Sequence, residues 1–240
     1  MKVLVIDIGG TNIKFQASGQ PESSKFPSGP SMAPGDMVRQ VLDTAQGWEF
    51  DQVSIGYPGP VVDGRPELEP KNLKQGWVGY DLAAQFGKPT KVVNDAAMQA
   101  LGSYEGGRML FLGLGTGLGS AMVLDNILVP LELAHLPYRK KRTFEDYVGR
   151  RGLERLGESK WRRAVIDVAT RLKAALIAEY VVFGGGNARL LRKVPAWARI
   201  GGNENAITGG IRLWETDSSG VPRFRPQGES ALPEESVLTS

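Results

Sequence analysis

An apolar run, a glycine-containing turn and a second apolar run occur twice in the chain, and this repeat constrains the fold more than any other feature. The first copy lies between Lys2 and Ala17, and the second lies between Arg108 and Leu124. The turns consist of Gly9, Gly10 and Thr11 in the first copy and of Gly115, Thr116 and Gly117 in the second. Runs rich in Val, Ile and Leu that flank a glycine turn are typical of β-hairpins. The repeat therefore predicts two related lobes.

The length and composition fit a globular protein with one large domain or two small lobes. The chain has 240 residues, of which 41% are hydrophobic and 23% are charged. These values exclude a long disordered or collagen-like chain. There is no cysteine, so disulfides and thiolate-held metals are impossible and a reducing cytoplasm is the simplest setting.

Two features argue against export and against a membrane segment. Asp7 interrupts the N-terminal apolar run after four apolar residues, which is too early for the core of a signal peptide. The longest uncharged stretch, Met109–Leu124, is shorter than the roughly 20 residues that a membrane helix needs. The sequence therefore predicts a cytoplasmic protein that does not enter a membrane.

Strand-like and helix-like segments alternate along the chain, which predicts an α/β fold. Further strands are expected at Lys25 and Phe26, Val53–Tyr57, Thr90–Val93 and Tyr180–Phe183. Helices are expected from an Asp36 cap to Gly47, at Tyr80–Phe86, from Asn94 or Asp95 through Ala100, over Thr143–Glu179 with a break near Gly157, and at Glu204–Trp214. The proline-rich segment Pro58–Asn72 is predicted to be an irregular loop.

Three glycine loops are candidate phosphate sites, because exposed backbone N–H groups in tight turns bind phosphate oxygens. Two are the hairpin turns, and the third is Gly184, Gly185 and Gly186. Two common nucleotide motifs are absent. The one Gly-Lys pair, at Gly87, is followed by Pro89 rather than by the Ser or Thr of a Walker loop. Glycines alternate between Gly113 and Gly119 and lead into a strand, so the dinucleotide fingerprint also fails.

Four polar residues are candidates for chemistry, each with a simpler structural alternative. Asp7, beside the first turn, could hold hydrated Mg²⁺ against a polyphosphate or merely accept hydrogen bonds from the turn. Asp95, between a strand and a helix, could be a general base or an ordinary helix cap. His135 is the only histidine, and a lone histidine is usually structural. Glu132 lies three positions earlier, and together the two could bind a polyol.

The segment from Tyr138 to Arg163 is strongly basic. It has ten Lys and Arg residues against four acidic residues, whereas the whole chain carries a net charge of +3. The segment is either a solvated surface or a site for a polyanion such as inorganic polyphosphate. Nucleic acid is a weaker candidate, because no recognition helix or interleaved aromatic residues are evident.

Taken in order, these motifs resemble the ROK family of sugar kinases and repressors, and most of all its polyphosphate-glucokinase branch. The segments that carry the resemblance are Asp7–Lys14, Gly56–Gly64, Asn72–Leu73, Val92–Gly102, Leu112–Val123, Glu132–His135, Phe144–Leu153 and Val181–Ala188. Two departures stand out. The cysteine cluster that binds zinc in the family is missing, so no zinc is expected. Ala134 also replaces the glycine that is usual before the histidine.

The resemblance implies an actin-like (ribonuclease H-like) α/β fold, with two lobes of mixed sheets and flanking helices around a central cleft. The lobes would comprise residues 1–105 and 106–216, followed by a loose tail at 217–240. Relatives of this kind are usually dimers, so a homodimer is expected.

The resemblance also assigns roles to single residues. Asp95 would take the proton from the 6-hydroxyl of the sugar, and Asp7 would serve Mg²⁺. The other hydroxyls would be held by Asn72, Asn94, Glu132, His135 and Glu145. The phosphates and the nucleotide would be bound by Gly9, Gly10, Thr11, Asn12, Lys14, Gly115, Thr116, Gly117, Gly184, Gly185 and Gly186.

These roles predict a hexose kinase, above all a glucokinase that uses ATP, polyphosphate or both. A sugar-sensing repressor of the same family is an alternative, but it needs a DNA-binding segment ahead of the first strand, which begins at Lys2. A nucleotide-driven ATPase module with the same fold is a second alternative. Such a module would not be expected to carry the set formed by Asn72, Glu132 and His135.

Overall fold

The computed structural model describes residues 1–202, 204–216 and 224–226. Its strands are β1 Val3–Ile8, β2 Asn12–Ala17, β3 Ser24–Pro27, β4 Gln52–Tyr57, β5 Val61–Val62, β6 Arg65–Pro66, β7 Thr90–Asn94, β8 Arg108–Leu114, β9 Leu118–Leu124, β10 Ile127–Leu131, β11 Tyr180–Gly184, β12 Ala198–Ile200 and β13 Arg225–Pro226. Its helices are α1 Pro34–Thr44, α2 Asp95–Ser103, α3 Glu145–Val148, α4 Arg150–Ala175 and α5 Asn205–Arg212.

Two mixed sheets form the framework, and each contains one of the predicted hairpins. The first sheet has the order β3-β2-β1-β4-β7, in which β1 and β2 are antiparallel and β1, β4 and β7 are parallel. The second has the order β12-β11-β8-β9-β10-β13, in which β8 and β9 are antiparallel and β8, β11 and β12 are parallel. Both glycine hairpins are therefore confirmed, as is the α/β class.

The core consists of three apolar layers, which the alternation of side chains along the strands separates. On β1, Leu4 and Ile6 face the outer layer with α1, whereas Val3 and Val5 face a central layer. β8 contributes Met109 and Phe111 to this central layer, and its other face packs against α4. Helices α2 and α5 lie in the central layer, between the two sheets.

Helices α2 and α5 contact each other backbone to backbone through two glycines. A Cβ atom placed on Gly102 would lie 2.8 Å from the backbone nitrogen of Gly209, and one on Gly209 would lie 2.9 Å from that of Gly102. Since real Cβ atoms do not approach backbone this closely, neither position accommodates a side chain. Helix α5 thus follows β12 of the second sheet in the chain, but it packs against α2, which follows β7 of the first sheet. The division of the chain into lobes at residue 105 stays a prediction.

Several predicted elements differ in detail. Ala33 and Pro34 begin α1, so Asp36 lies in the first turn and is not the cap. Of the predicted helix at Tyr80–Phe86, only Ala84–Phe86 forms a short 3₁₀ turn, and Gly87 ends it at φ 59°. The predicted break at Gly157 is confirmed, because this residue has φ 71° within α4.

Short strands account for the remaining differences. The loop at 58–72 contains the two-residue strands β5 and β6, and neither β10 nor β12 was predicted. Of the predicted loose tail, residues 217–223 and 227–240 lie outside the described residues, whereas β13 pairs with β10. No helix among the described residues is both long enough and apolar enough to cross a membrane.

Candidate active site

The carboxyl ends of β1, β4 and β7 bring Asp7 and Asp95 to one edge of the first sheet. Asp7 pairs in register with Gly56 of β4, and Gly56 pairs with Val93 of β7. A Cβ atom on Gly56 would lie 3.5 Å from Oδ1 of Asp7 and 3.3 Å from Cα of Asp95. The two aspartates therefore flank Gly56, where a side chain would clash first with Cε of Met98, at 2.5 Å.

Asn94, and not Asp95, is the cap of α2. Its side-chain oxygen accepts a hydrogen bond from the backbone N–H of Ala97 at 3.1 Å, and its amide nitrogen donates to the carbonyl of Gly59 at 2.9 Å. Asp95 accepts one short-range hydrogen bond, from the N–H of Ala96 at 2.7 Å. Because Asn94 satisfies the helix end, the second oxygen of Asp95 is left for a substrate.

The environment of the two aspartates favours their protonated forms. Both are densely surrounded by protein, although each keeps some surface open to solvent. Burial raises the pKa of Asp7 to about 6, and Lys14 on the neighbouring strand opposes this shift. Burial, together with the charges of Asp7 and Glu132, raises the pKa of Asp95 to about 7, while the N–H of Ala96 opposes it. A carboxyl group with a pKa near 7 suits a general base.

The second hairpin packs on the start of α2, close to Asp95. A Cβ atom on Gly119 would lie 2.9 Å from Cβ of Ala96. At its turn, Gly115 donates a backbone hydrogen bond to the carbonyl of Gly117 at 3.2 Å, and the Thr116 side chain is exposed. Thr11, in the first turn, is exposed as well. Both turns thus expose a threonine beside backbone N–H groups, as phosphate cradles would.

Glu145 lies over the second turn. Its carboxylate accepts a hydrogen bond from the backbone N–H of Leu118 at 3.2 Å and contacts the backbone of Gly117 so closely that a Cβ atom there would clash with it. The backbone N–H of Glu145 donates to the carbonyl of Ala134 at 3.0 Å. The Glu132–His135 segment and α3 are therefore joined directly by this hydrogen bond.

Lys71 connects the proline-rich loop to this group. Its Nζ atom lies 3.5 Å from Nε2 of His135 and 3.9 Å from Oε1 of Glu145. Burial raises the pKa of Glu132, and His135 and Lys71 oppose this shift while Glu145 adds to it. The next residue, Asn72, contacts the first turn, since a Cβ atom on Gly10 would lie 3.0 Å from Cβ of Asn72.

The third glycine loop packs behind the second turn. Gly185 has φ 77°, and a Cβ atom on it would lie 2.6 Å from the carbonyl oxygen of Leu114. Asn187 donates from its backbone to Leu114 at 2.9 Å and from its side chain to Gly115 at 3.1 Å. Gly184 is the last residue of β11 and Gly186 follows Gly185, so the fold holds this segment against the second turn.

The predicted site residues therefore form one connected group. Asn12 has a local role, because its carbonyl accepts the N–H of Gly9 at 3.0 Å and closes the first turn. Lys71, Gly56 and Asn187 were not predicted as site residues. The position of Lys71 beside Asn72 is the only sequence signal for its role, because its contacts with His135 and Glu145 depend on the tertiary fold.

The side chains present fit a magnesium ion for which a substrate supplies some of the ligands. Among the described residues, no three acidic or histidine side chains gather into a complete metal cage. Mg²⁺ commonly needs only one or two carboxylates, with phosphates and water completing its octahedron. The buried carboxylate of Asp7 at the first turn provides such a ligand.

Comparison with known proteins agrees with this geometry. No protein-family model matches the chain. The chain is 25% identical over 228 residues to a polyphosphate glucokinase of Mycobacterium tuberculosis. The alignment covers 84% of this chain and 83% of the relative. The chain is thus similar in sequence to polyphosphate glucokinases.

Solved structures of similar fold confirm the predicted actin-like α/β fold. An inorganic polyphosphate/ATP-glucomannokinase from an Arthrobacter species superposes with a TM-score of 0.75 at 23% identity, covering 87% of this chain and 96% of the other. A ROK-family glucokinase from Streptomyces griseus, solved with glucose and AMPPNP, gives a TM-score of 0.73 at 19% identity, with 89% and 99% covered.

Proposed function

We propose that the protein transfers a phosphoryl group from ATP, inorganic polyphosphate or both to the 6-hydroxyl of a hexose, with glucose as the expected acceptor. The observation that supports this most is the position of Asp95, whose carboxyl group, with a pKa of about 7, lies beside both glycine hairpins. The curated relatives and a solved neighbour are described as enzymes of this kind.

In the proposed reaction, Asp95 accepts the proton of the sugar hydroxyl. The hydroxyl oxygen forms a bond to the terminal phosphorus while the bond from that phosphorus to the donor's bridging oxygen breaks, and ADP or a shortened polyphosphate leaves. Glu132, His135, Glu145 and Asn72 would orient the sugar, and the two hairpin turns would hold the phosphates. Mg²⁺ at Asp7, when bound, would neutralise charge on the phosphate oxygens.

The proposed acceptor set is built from carboxylates, an imidazole and amides, which are good partners for hydroxyl groups. Glu132 and His135 are both exposed, so they are open to a ligand in the cleft. A site that hydrogen-bonds specific hydroxyls discriminates strongly against sugars lacking them. We therefore expect a preference among hexoses rather than action on any alcohol.

The test is a coupled phosphorylation assay over a panel of glucose, mannose, glucosamine, N-acetylated hexosamines and fructose. Each sugar is tested in parallel with ATP and with polyphosphate, in the presence of Mg²⁺. The expected result is transfer to glucose with at least one donor. Hydrolysis of ATP that does not depend on any sugar would instead indicate a nucleotide-driven module. The homodimer and the cytoplasmic setting remain predictions.

A further inference from the structure

A second cleft, here called the basic cleft, lies between the turn at residues 139–142 and the α3–α4 region. Its volume is about 730 Å³. The residues that line it are Arg139, Lys140, Arg142, Tyr147, Arg155 and Leu156. Four of these side chains are cationic, and none of them is acidic. Such a cleft concentrates positive potential and attracts anions.

The turn that carries these cations adopts a conformation that its residues disfavour. The backbone N–H of Arg142 donates to the carbonyl of Arg139 at 3.0 Å, and Pro137 and Thr143 form an antiparallel bridge. Lys140 and Lys141 occupy the central positions with φ values of 50° and 59°. Such hairpin turns strongly favour Asn-Gly, because L side chains resist positive φ. The chain therefore keeps lysines where stability would favour other residues, which is typical of functional positions.

Few carboxylates offset this charge. Arg139 lies 3.1 Å from Asp167, and the charges of Arg142 and Arg155 help to lower the pKa of Asp146. Among the described residues, however, no carboxylate oxygen forms an ion pair with Lys140, Arg142 or Arg155 within 4.0 Å. Arg155 instead donates to the backbone carbonyl of Asp146 at 2.6 Å. Cations held together in this way repel one another, so a bound polyanion would stabilise the cleft.

Helix α4 connects the basic cleft to the second glycine turn. The backbone N–H of Arg150, at the start of α4, donates to the carbonyl of Thr116 at 3.1 Å. Arg151 is exposed and lies one helical turn before Arg155, so both share one face. The five residue-to-residue steps from Arg150 to Arg155 span about 7.5 Å along the helix axis. Arginines therefore lead from the proposed phosphate site to the cleft.

We propose that the basic cleft binds the distal part of an inorganic polyphosphate chain whose reactive end lies at the glycine turns. This inference rests on the proposed function. A long polyphosphate carries regularly spaced charge that can follow the arginines of α4, whereas the three phosphates of ATP are confined to the turns. The cleft thus favours polyphosphate over ATP as the donor.

The aromatic residues beside the cleft argue against a nucleic acid as its ligand. Single-stranded nucleic acids bind by stacking their bases on open aromatic rings. Here the guanidinium of Arg155 lies 4.8 Å from the ring centre of Tyr147, and that of Arg139 lies 4.8 Å from that of Tyr138. The two tyrosine rings also pack edge to face, with their centres 4.8 Å apart. A ligand recognised by phosphate charge alone fits this surface.

The test uses a double variant, Lys140→Asn with Lys141→Gly. These substitutions remove two positive charges and supply the residues that the turn favours. Binding of long-chain polyphosphate is measured without sugar, and kcat/KM is measured with polyphosphate, tripolyphosphate and ATP. We expect about tenfold weaker binding at low salt and a smaller salt dependence, because fewer counterions are released. The ratio of polyphosphate-supported to ATP-supported kcat/KM should fall, while Tm rises. Arg142→Gln, which leaves the turn residues in place, should lower the same ratio.

A matched control removes the same charge elsewhere, by Lys88→Gln with Lys193→Gln, since both lysines are exposed and lie outside the cleft. Equal polyphosphate affinity in the turn variant and the unmodified protein would overturn the proposal, as would a parallel loss with ATP and polyphosphate. Tight binding of a single-stranded oligonucleotide with none of polyphosphate would also overturn it. If polyphosphate binding weakens as expected but no hexose is phosphorylated by any donor, the proposed kinase activity fails and the polyphosphate site stands.

Discussion

The two glycine hairpins share a backbone plan but obtain their charged groups from different places. The first hairpin carries its own charges, because Asp7 and Lys14 are cross-strand partners within it. The second has no charged residue between Met109 and Leu124. Its carboxylate comes from Glu145 of α3, and its arginines come from α4. A repeated turn can therefore supply the same phosphate cradle twice while other segments make the two sides chemically different.

This asymmetry assigns different tasks to the two turns. The first turn lies beside Asp7 and Asn72, and so on the side of the proposed metal and sugar sites. The second turn lies beside the third glycine loop and the start of α4, and so on the side of the proposed donor site. Asp95 lies where the two sides meet, which makes it the strongest test of the comparison.

Replacing Asp95→Asn is expected to have the largest effect. The amide cannot accept the hydroxyl proton, so kcat should fall by about 10²- to 10⁴-fold, whereas the dissociation constant for glucose should change little. Steady-state kinetics and sugar binding by calorimetry measure the two quantities. Asp43→Asn, at an exposed position of α1, is the matched control. A variant at position 95 with full turnover would contradict the assignment of the base.

The pH dependence of the reaction should follow the carboxyl group of Asp95. In the proposed reaction the ionised form of Asp95 is the base, and its pKa lies at about 7, so kcat/KM should rise with pH up to about 7 and level off above it. Well below that value the fall should approach about tenfold per pH unit. A pH profile of kcat/KM checks this, with Asp95→Asn as the reference. If the residual kcat/KM of Asp95→Asn rises with pH in the same way, a group other than Asp95 is responsible for the pH dependence.

Alanine substitutions at Gly10 and Gly115 separate the tasks of the two turns. A Cβ atom on Gly10 would lie 3.0 Å from Asn72, whereas one on Gly115 would meet nothing within 4 Å in the protein itself. Gly10→Ala should therefore raise KM for the hexose about tenfold by displacing Asn72. Gly115→Ala should change KM for the donor and leave that for the hexose nearly constant. The same pattern of KM changes in both variants would remove the distinction between the turns.

The smallest expected effect concerns stability. Burial raises the pKa of Asp95 from its ordinary value of 3.8 to about 7, so the folded state binds this proton more tightly than the unfolded state. Stability should then fall as pH rises from about 4 to about 7, where the carboxylate ionises. A shift of about three pKa units corresponds to at most about 4 kcal/mol, and the partial exposure of Asp95 reduces this cost. Asp95→Asn removes the cost and should raise Tm at pH 8 by at least about 2 to 4 °C.

Thermal denaturation of both proteins at pH 4 and pH 8 measures this effect. At pH 4 the aspartate is protonated in the folded state, so the two proteins should have similar Tm values. A lower Tm for Asp95→Asn at pH 8 would show that the ionised carboxylate stabilises the fold.

Local sequence predicted the elements whose residues interact with near neighbours. The hairpins, the junction at Asn94 and Asp95, and the break at Gly157 each depend on a few consecutive residues. The short strand β12 depends on pairing with β11, which precedes it in the chain. Because such a strand gains its stability from tertiary contacts, its own residues carry little signal.

The site was predictable in its components but not in its contacts. Asp7, Asp95 and the glycine turns can be recognised from their position at the ends of apolar runs. The cap of α1 was assigned wrongly because Pro34, which is favoured at the first helical position, moves the start of the helix ahead of Asp36. The contacts of Lys71 with His135 and Glu145 join distant segments, and no spacing in the sequence indicates them.

The glycine contact between α2 and α5 determines which motions the molecule can make. At this point the two sheets are connected by helices whose backbones touch, and the carbonyls of Leu101 and Tyr104 are bound by the guanidinium of Arg212 at 2.8 and 2.9 Å. Pulling the helices apart would strip these buried polar groups of their partners. We therefore expect the two sheets to rotate about the α2–α5 pair as a hinge when the cleft opens. Asp95, at the start of α2, would stay near the hinge axis, and the two glycine turns would move further.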